Sequence, residues 1–221
     1  QSIANAILCL VDPGDEVLVP APYWVSYPEI IKLAGGKIVE LPSDIQSDFK
    51  VTPEQVEEAI NEQTKVFIFS SPCNPSGSVY SAEELKALAG VFSKHENIFI
   101  ISDEIYEYIN FEGRHESIAC FGNIKDRVIT VNGVSKGFAM TGWRIGYIGA
   151  PAYLAKAFDT LQGQYTSGAS SIAQMASLKA VGTDPCTSED LKKMLSAFRE
   201  RRDLVIERLR DIPGIKTNVP D

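Results

Sequence analysis

Lys136 stands in the segment Ser135-Lys136-Gly137-Phe138-Ala139-Met140-Thr141-Gly142-Trp143-Arg144, directly after the apolar run Arg127-Val128-Ile129-Thr130-Val131-Asn132. Such a run reads as a buried strand, which puts the lysine at a strand's carboxyl end. An ammonium group there must pair, lose its proton or react. An unprotonated lysine is a nucleophile toward aldehydes, so a Schiff base to a carbonyl compound is the chemistry it offers. A lone lysine can also carry its charge to water along a flexible stem, so its companions decide the reading.

Two other apolar runs end in unusual polar residues. Residues 65–70 lead into Ser71-Pro72-Cys73-Asn74-Pro75-Ser76-Gly77, and residues 97–102 lead into Asp103-Glu104-Ile105-Tyr106. Each group has an ordinary structural use. Asn-Pro starts turns, an aspartate caps the segment after it, and a tyrosine can sit half-buried in a core. In an open parallel sheet, however, ligands bind beyond the carboxyl ends of the strands. Three strand ends that carry Asn74, Asp103 with Tyr106, and Lys136 to one rim are harder to explain by structure alone.

The elements that must position these residues alternate along the chain. Strands are predicted at residues 15–20, 37–41, 65–70, 97–102, 127–132 and 144–149. Helical spacing intervenes in Tyr27, Ile30, Ile31 and Ala34, and again in Leu85, Leu88, Ala89 and Phe92. Thr52-Pro53-Glu54-Gln55 and Ser81 with Glu84 read as capping boxes that open two of the helices. Near-continuous apolar strands interleaved with helices predict a three-layer α/β/α fold around a mostly parallel, mixed sheet. The loop between the fifth and sixth strands is too short for a parallel crossover, so the sixth is expected to run antiparallel. Ser188 caps a long helix carrying Leu191, Met194, Leu195, Phe198, Val205 and Leu209, whose charges read as a solvated face. This divides the chain into residues 1–186, a large domain, and 187–221, a helix leading toward a second one.

Composition narrows the function. In 221 residues the net charge of −8 argues against a nucleic-acid surface and an anionic membrane surface. No apolar run approaches the ~18 residues of a membrane span. Cys9, Cys73, Cys120 and Cys186 form neither a disulfide framework nor a metal spacing and read as reduced thiols of a cytosolic protein. No G-x-G-x-x-G follows a strand, which removes a dinucleotide-binding dehydrogenase. Gln1 is not an initiator, helical spacing already runs through Ile3, Ala6, Ile7 and Leu10, and Asn218-Val219-Pro220-Asp221 adds no closing element. The expectation is a piece of a longer protein.

In order and separation, Asn74-Pro75-Ser76-Gly77, Asp103-Glu104-Ile105-Tyr106 and Ser135-Lys136 through Arg144-Ile145-Gly146-Tyr147 resemble the class I/II pyridoxal-phosphate-dependent aminotransferases. Pro22-Tyr23-Trp24-Val25-Ser26-Tyr27-Pro28 resembles the bacterial aspartate aminotransferase branch. The resemblance runs through the whole chain. It implies pyridoxal 5′-phosphate held as a Schiff base on Lys136, which also moves the proton in catalysis. It implies Asp103 on the pyridine nitrogen, Tyr106 and Asn74 on the phenolic oxygen, Trp24 on the ring face, and Ser135 and Arg144 on the phosphate. Gly137 and Gly142 would let the loop wrap the cofactor, and Trp143 reads as core packing. Gly137 stands where the family often has alanine, which alters loop stiffness and no catalytic group.

The same resemblance implies transfer of an amino group from an aspartate-like amino acid to a 2-oxo acid, by a cytosolic homodimer. The family's phosphate-binding turn, its partner-reaching tyrosine and its carboxylate-gripping arginine have no counterpart here, so little turnover is expected of this piece alone. Six of the family's strands are expected, with the sixth left as an open edge. A carbon–sulfur lyase or an aminocyclopropane-carboxylate synthase would share the cofactor residues. An intact Asn74, Asp103, Tyr106, Lys136 and Arg144 set disfavours a non-enzymatic regulatory domain.

Overall fold

The computed structural model describes residues 1–111, 113–184 and 187–221. Cys186, one of the four thiols, lies outside the described residues. The chain runs α1 (Ser2–Leu10), β1 (Glu16–Pro20), α2 (Ser26–Leu33), β2 (Lys37–Leu41), α3 (Pro53–Ala59), β3 (Thr64–Ser70), α4 (Ala82–Phe92) and β4 (Phe99–Asp103). It continues through β5 (Val128–Gly133), β6 (Gly146–Gly149), α5 (Ala152–Thr166), α6 (Ser171–Val181) and α7 (Glu189–Arg210). One six-stranded sheet has the order β2-β1-β3-β4-β5-β6. β1 to β5 are parallel, and β6 runs antiparallel to β5 at the edge, as its short connection demands.

Alternation along the strands divides the core into two. Phe67, Phe69 and Ile100 face a cluster completed by Val56 of α3 and Leu85, Leu88 and Phe92 of α4. Val66, Ile68, Ile101 and Ile129 face the opposite cluster, with Ile3 and Ile7 of α1, Tyr27 and Ile31 of α2, and Phe158 of α5. A sheet buried on both faces explains why the strands read as continuous apolar runs rather than alternating ones.

Both predicted capping boxes form. Thr52 exchanges hydrogen bonds with Gln55 at the start of α3, and Ser81 does so with Glu84 at the start of α4. α4 is closed at its other end by a buried cation. Arg127 Nη2 donates to the carbonyl of Phe92, and Nη1 donates to those of His95 and Ile98. A guanidinium can satisfy several carbonyls at once, so this turn into β4 is held from the start of the next strand.

Two sequence readings need correction here. Trp143 is 44% exposed, so it does not pack in the core. The charges of α7 are not uniformly solvated, because Arg199 and Arg202 lie against Phe111. Among the described residues, no helix is long and apolar enough to cross a membrane.

Candidate active site

The sheet order reverses between β1 and β3, the place where open α/β sheets bind ligands beyond the carboxyl ends of their strands. At this end Ser70 of β3 lies opposite Asp103 of β4, and Asp103 lies opposite Val131 of β5. Asp103 is therefore the last residue of its strand, and Asn74, Tyr106 and Lys136 follow within a few residues of three adjacent strand ends.

The structure brings Asn74, Tyr106 and Lys136 together. Asn74 Nδ2 lies 3.5 Å from the Tyr106 hydroxyl, and Lys136 Nζ lies 5.6 Å from the centre of the Tyr106 ring. Asp103 is buried. Its Oδ2 accepts from the Tyr27 hydroxyl at 2.7 Å, and its Oδ1 accepts from the Ile105 N–H at 3.3 Å. The aspartate thus caps the following turn and presents a carboxylate at the same time. Burial pushes its carboxyl above the usual aspartate range; the two hydrogen bonds oppose this, and the adjacent Glu104 charge adds to it. Burial and the Asp103 charge push the Tyr27 phenol well above its ordinary value, so it is a hydrogen-bond donor at neutral pH.

Tyr27 is the group that sequence reasoning missed. It sits at core spacing on α2, and only its companionship with Trp24 in the 22–28 motif hinted at a site. Trp24 itself is 38% exposed and meets the Tyr27 ring edge-on, 5.5 Å between centres at 87°.

Behind Asp103 lies a second polar group. Glu104 Oε1 accepts from Ser102 and Ser117 hydroxyls at 2.9 and 2.6 Å, and Oε2 lies 2.8 Å from His115 Nε2. These contacts close the segment that carries Tyr106 back onto β4. Glu107 approaches the same cluster, with its ligand atom within 4.8 Å of the others. The 2.8 Å His–Glu separation is a hydrogen bond, shorter than the edge of about 3.3 Å between donors in a tetrahedral metal site.

The lysine loop folds differently from its glycine pattern. The left-handed positions are Ala139 (φ 53°) and Arg144 (φ 57°), while neither Gly137 nor Gly142 has positive φ. Gly137 is required for another reason, since a Cβ there would stand 2.4 Å from Tyr108 Cδ2. Hydrogen bonds from Val134 N–H to Ile145 O and from Met140 N–H to Val134 O close the loop around Ser135 and Lys136. Ser135 is half-buried there. Arg144 is exposed, and its Nη1 donates to Thr141 O at 2.9 Å. Because β6 is antiparallel, its start at Gly146 lies opposite Gly133, at the carboxyl end of β5. Ser2 Oγ lies 3.2 Å from where a Gly146 Cβ would be, so the amino end of α1 reaches this rim near Arg144.

The sequence matches the family model for "Aminotransferase class I and II" over residues 1–220. It is 46% identical, over 97% of its length, to the aspartate/prephenate aminotransferase of Nitrosomonas europaea, of which it covers 54%. It is 45% identical over its whole length to a Petunia hybrida protein, of which it covers 46%. That protein is named bifunctional aspartate aminotransferase and glutamate/aspartate-prephenate aminotransferase. The crystal structure of the Rhizobium meliloti aspartate aminotransferase superposes with a TM-score of 0.95 at 42% identity, covering all of this chain and 55% of that one. The chain thus spans about half the length of the curated relatives it matches. With a family match over residues 1–220, this chain belongs to the class I and II aminotransferases.

Proposed function

We propose that this chain forms the cofactor-binding part of an enzyme that moves an amino group from an aspartate-like amino acid to a 2-oxo acid. Class I and II aminotransferases use pyridoxal 5′-phosphate, and the residues at the rim fit that group. A buried carboxylate held by a phenol suits a protonated pyridine nitrogen. Two donors that converge within 3.5 Å suit a phenolic oxygen. An amine 5.6 Å from the ring of one of them suits an aldehyde. Ser135, Arg144 and the amino end of α1 offer donors and positive charge for the phosphate, and Trp24 an aromatic face for the ring.

When bound, the cofactor supplies an aldehyde that takes up the amino group and a ring that accepts electrons from the substrate's α-carbon. Lys136 Nζ would hold the aldehyde and would be the group placed to carry the α-proton. Asp103 would pair with the ring nitrogen and favour its protonated form, with Tyr27 keeping the carboxylate oriented. The Tyr106 hydroxyl and Asn74 Nδ2 would donate to the phenolic oxygen and so stabilise negative charge there. The names of the relatives above favour aspartate as donor and make prephenate, itself a 2-oxo acid, a candidate acceptor.

The proposal extends to a cytosolic homodimer with its large domain in residues 1–186 and residues 187–221 leading toward a small one. The free thiols Cys9, Cys73 and Cys120 support the compartment. The exposed Ile172, Met175 and Leu178 of α6 offer a face for a partner subunit. α7, which buries only Ile206, supports the division.

The meeting of Lys136, Tyr106 and Asn74 beside the strand end that carries Asp103 is the observation that carries this reading. Incubation with pyridoxal phosphate, borohydride reduction and peptide mapping test it. The expected label is on Lys136 and disappears in K136A; label spread over surface lysines would sink it. In the full-length protein, pyruvate release from cysteine conjugates without amino-group transfer would replace transamination by elimination.

A further inference from the structure

The two loops that carry Asn74 and Tyr106 are gripped from outside by α7 and the residues after it. Asn218 Nδ2 lies 3.1 Å from Ser76 O, 3.3 Å from Ser78 Oγ and 3.0 Å from Asp48 Oδ1. Pro220 rests on Gly77, where a Cβ would fall 2.5 Å from Pro220 Cβ and where φ is +72°. The Asp221 N–H donates to Gly77 O, and Val79 N–H donates to Asp221 Oδ2. Apart from the bond to Asp48, these contacts fall on residues 76–79, directly after Asn74-Pro75.

On the other loop, Arg199 Nη2 donates to Phe111 O at 2.7 Å, and the Arg202 guanidinium lies 4.6 Å from the centre of the Phe111 ring. Arg202 Nη1 also donates to Pro220 O at 2.8 Å. Arg202 therefore joins the two grips, with its side chain 16% exposed.

Neither loop is placed by the sheet alone. The β3–β4 ladder ends with Ser70 opposite Asp103, and Asn74 and Tyr106 lie several residues past it. Their side chains meet at 3.5 Å, the outer limit of a hydrogen bond, so a small change in loop separation decides whether both donors reach one oxygen. We propose that α7 and its tail form a strap that sets this separation, with Arg202 and Asn218 as positioning residues that touch no reacting atom. The strap is loosely seated. Ile206 is its one buried helical residue, and an open surface groove lined by Ile109, Phe111, Phe198 and Val205 lies between it and the Tyr106 loop. An element held by a few polar contacts moves as a unit more readily than one set in a packed core. Motion of α7 is thereby passed to two cofactor-facing donors. That last consequence rests on the function proposed above; the mechanical link does not.

Hydrogen–deuterium exchange of the cofactor-free chain tests the link. R202Q is expected to speed exchange about tenfold both at residues 76–79 and at residues 107–109, while β3 stays unchanged, because one side chain serves both loops. N218A is expected to speed exchange at residues 76–79, and R202K to lie between R202Q and wild type. R202Q affecting only one loop, or neither, overturns the proposal. If R202Q does not fold, R202K carries the same two-loop criterion.

The visible absorbance titration of cofactor captured on Lys136 tests the positioning. N218A should move its midpoint in the same direction as N74A, and the double variant no further than N74A. A midpoint unmoved by N218A where N74A moves it makes the strap merely structural and overturns its positioning role. Failure of the wild type to bind cofactor sinks the proposed function instead, and exchange still decides the link.

Discussion

Replacing Tyr27 by phenylalanine removes one oxygen atom and isolates what it does for Asp103. The hydroxyl donates at 2.7 Å to a carboxylate that is 6% exposed. Burial already holds the Asp103 pKa above its ordinary value, and the Tyr27 hydrogen bond is the larger of the two that pull it back. A hydrogen bond to a charged group contributes about 1.5–3 kcal/mol, against about 1 for a neutral pair. The phenylalanine variant should therefore be less stable by roughly 2 kcal/mol near neutral pH.

The sign of the pH dependence follows from the direction of the shift. A carboxyl whose folded pKa is raised binds its proton more tightly in the folded state. Its favourable contribution is complete below the unfolded value of 3.8 and is lost as pH rises through the folded value. Removing the donor raises the folded pKa further, because the anion loses more than the acid does. The gap between variant and wild type should then be widest at neutral pH and shrink as pH falls toward 3.8. Urea unfolding of the cofactor-free chain at several pH values measures the gap, and carbon NMR of the Asp103 carboxyl measures the pKa directly. A gap independent of pH, or an Asp103 pKa that falls in the variant, would refute the assignment of Tyr27 as its donor.

G137A should cost about 1–3 kcal/mol by overpacking against Tyr108, and less when Tyr108 is also shortened to leucine. Thermal unfolding of the two single variants and the double variant measures the coupling, and additivity would count against the contact. R127M should cost about 2–4 kcal/mol, because it strips donors from three carbonyls where α4 turns into β4. The check is urea unfolding, and a loss below about 1 kcal/mol would mean that water replaces the guanidinium.

The strands and the capped helices were legible because their signals are local. Residues 65–70 are apolar nearly throughout, as strands covered on both faces must be, and Thr52 and Ser81 bond to residues three positions away. Lys136, Asp103, Tyr106 and Asn74 were legible for another reason: their types are costly or unusual at strand ends, so chemistry was the better explanation. α5 and α6 carried no comparable signal. Their apolar residues do not fall into one buried stripe, and Ile172, Met175 and Leu178 are more than 60% exposed.

What could not be read is what tunes and holds the rim. Tyr27 meets Asp103 across 76 positions of sequence, and Asn218 meets Ser76 across 142. Neither contact leaves a mark on residue type. A phenol at core spacing on α2 looks like packing, and an arginine on a long polar helix looks solvated. Both acquire partners only because the sheet order brings β1, and α2 with it, beside β3, and because α7 crosses the loops after β3 and β4. The chemistry-bearing residues are thus local properties of strand ends, while their proton affinities and spacing are properties of topology. Variants of Tyr27, Arg202 and Asn218 should therefore shift pKa values and loop exchange while the reacting groups remain in place.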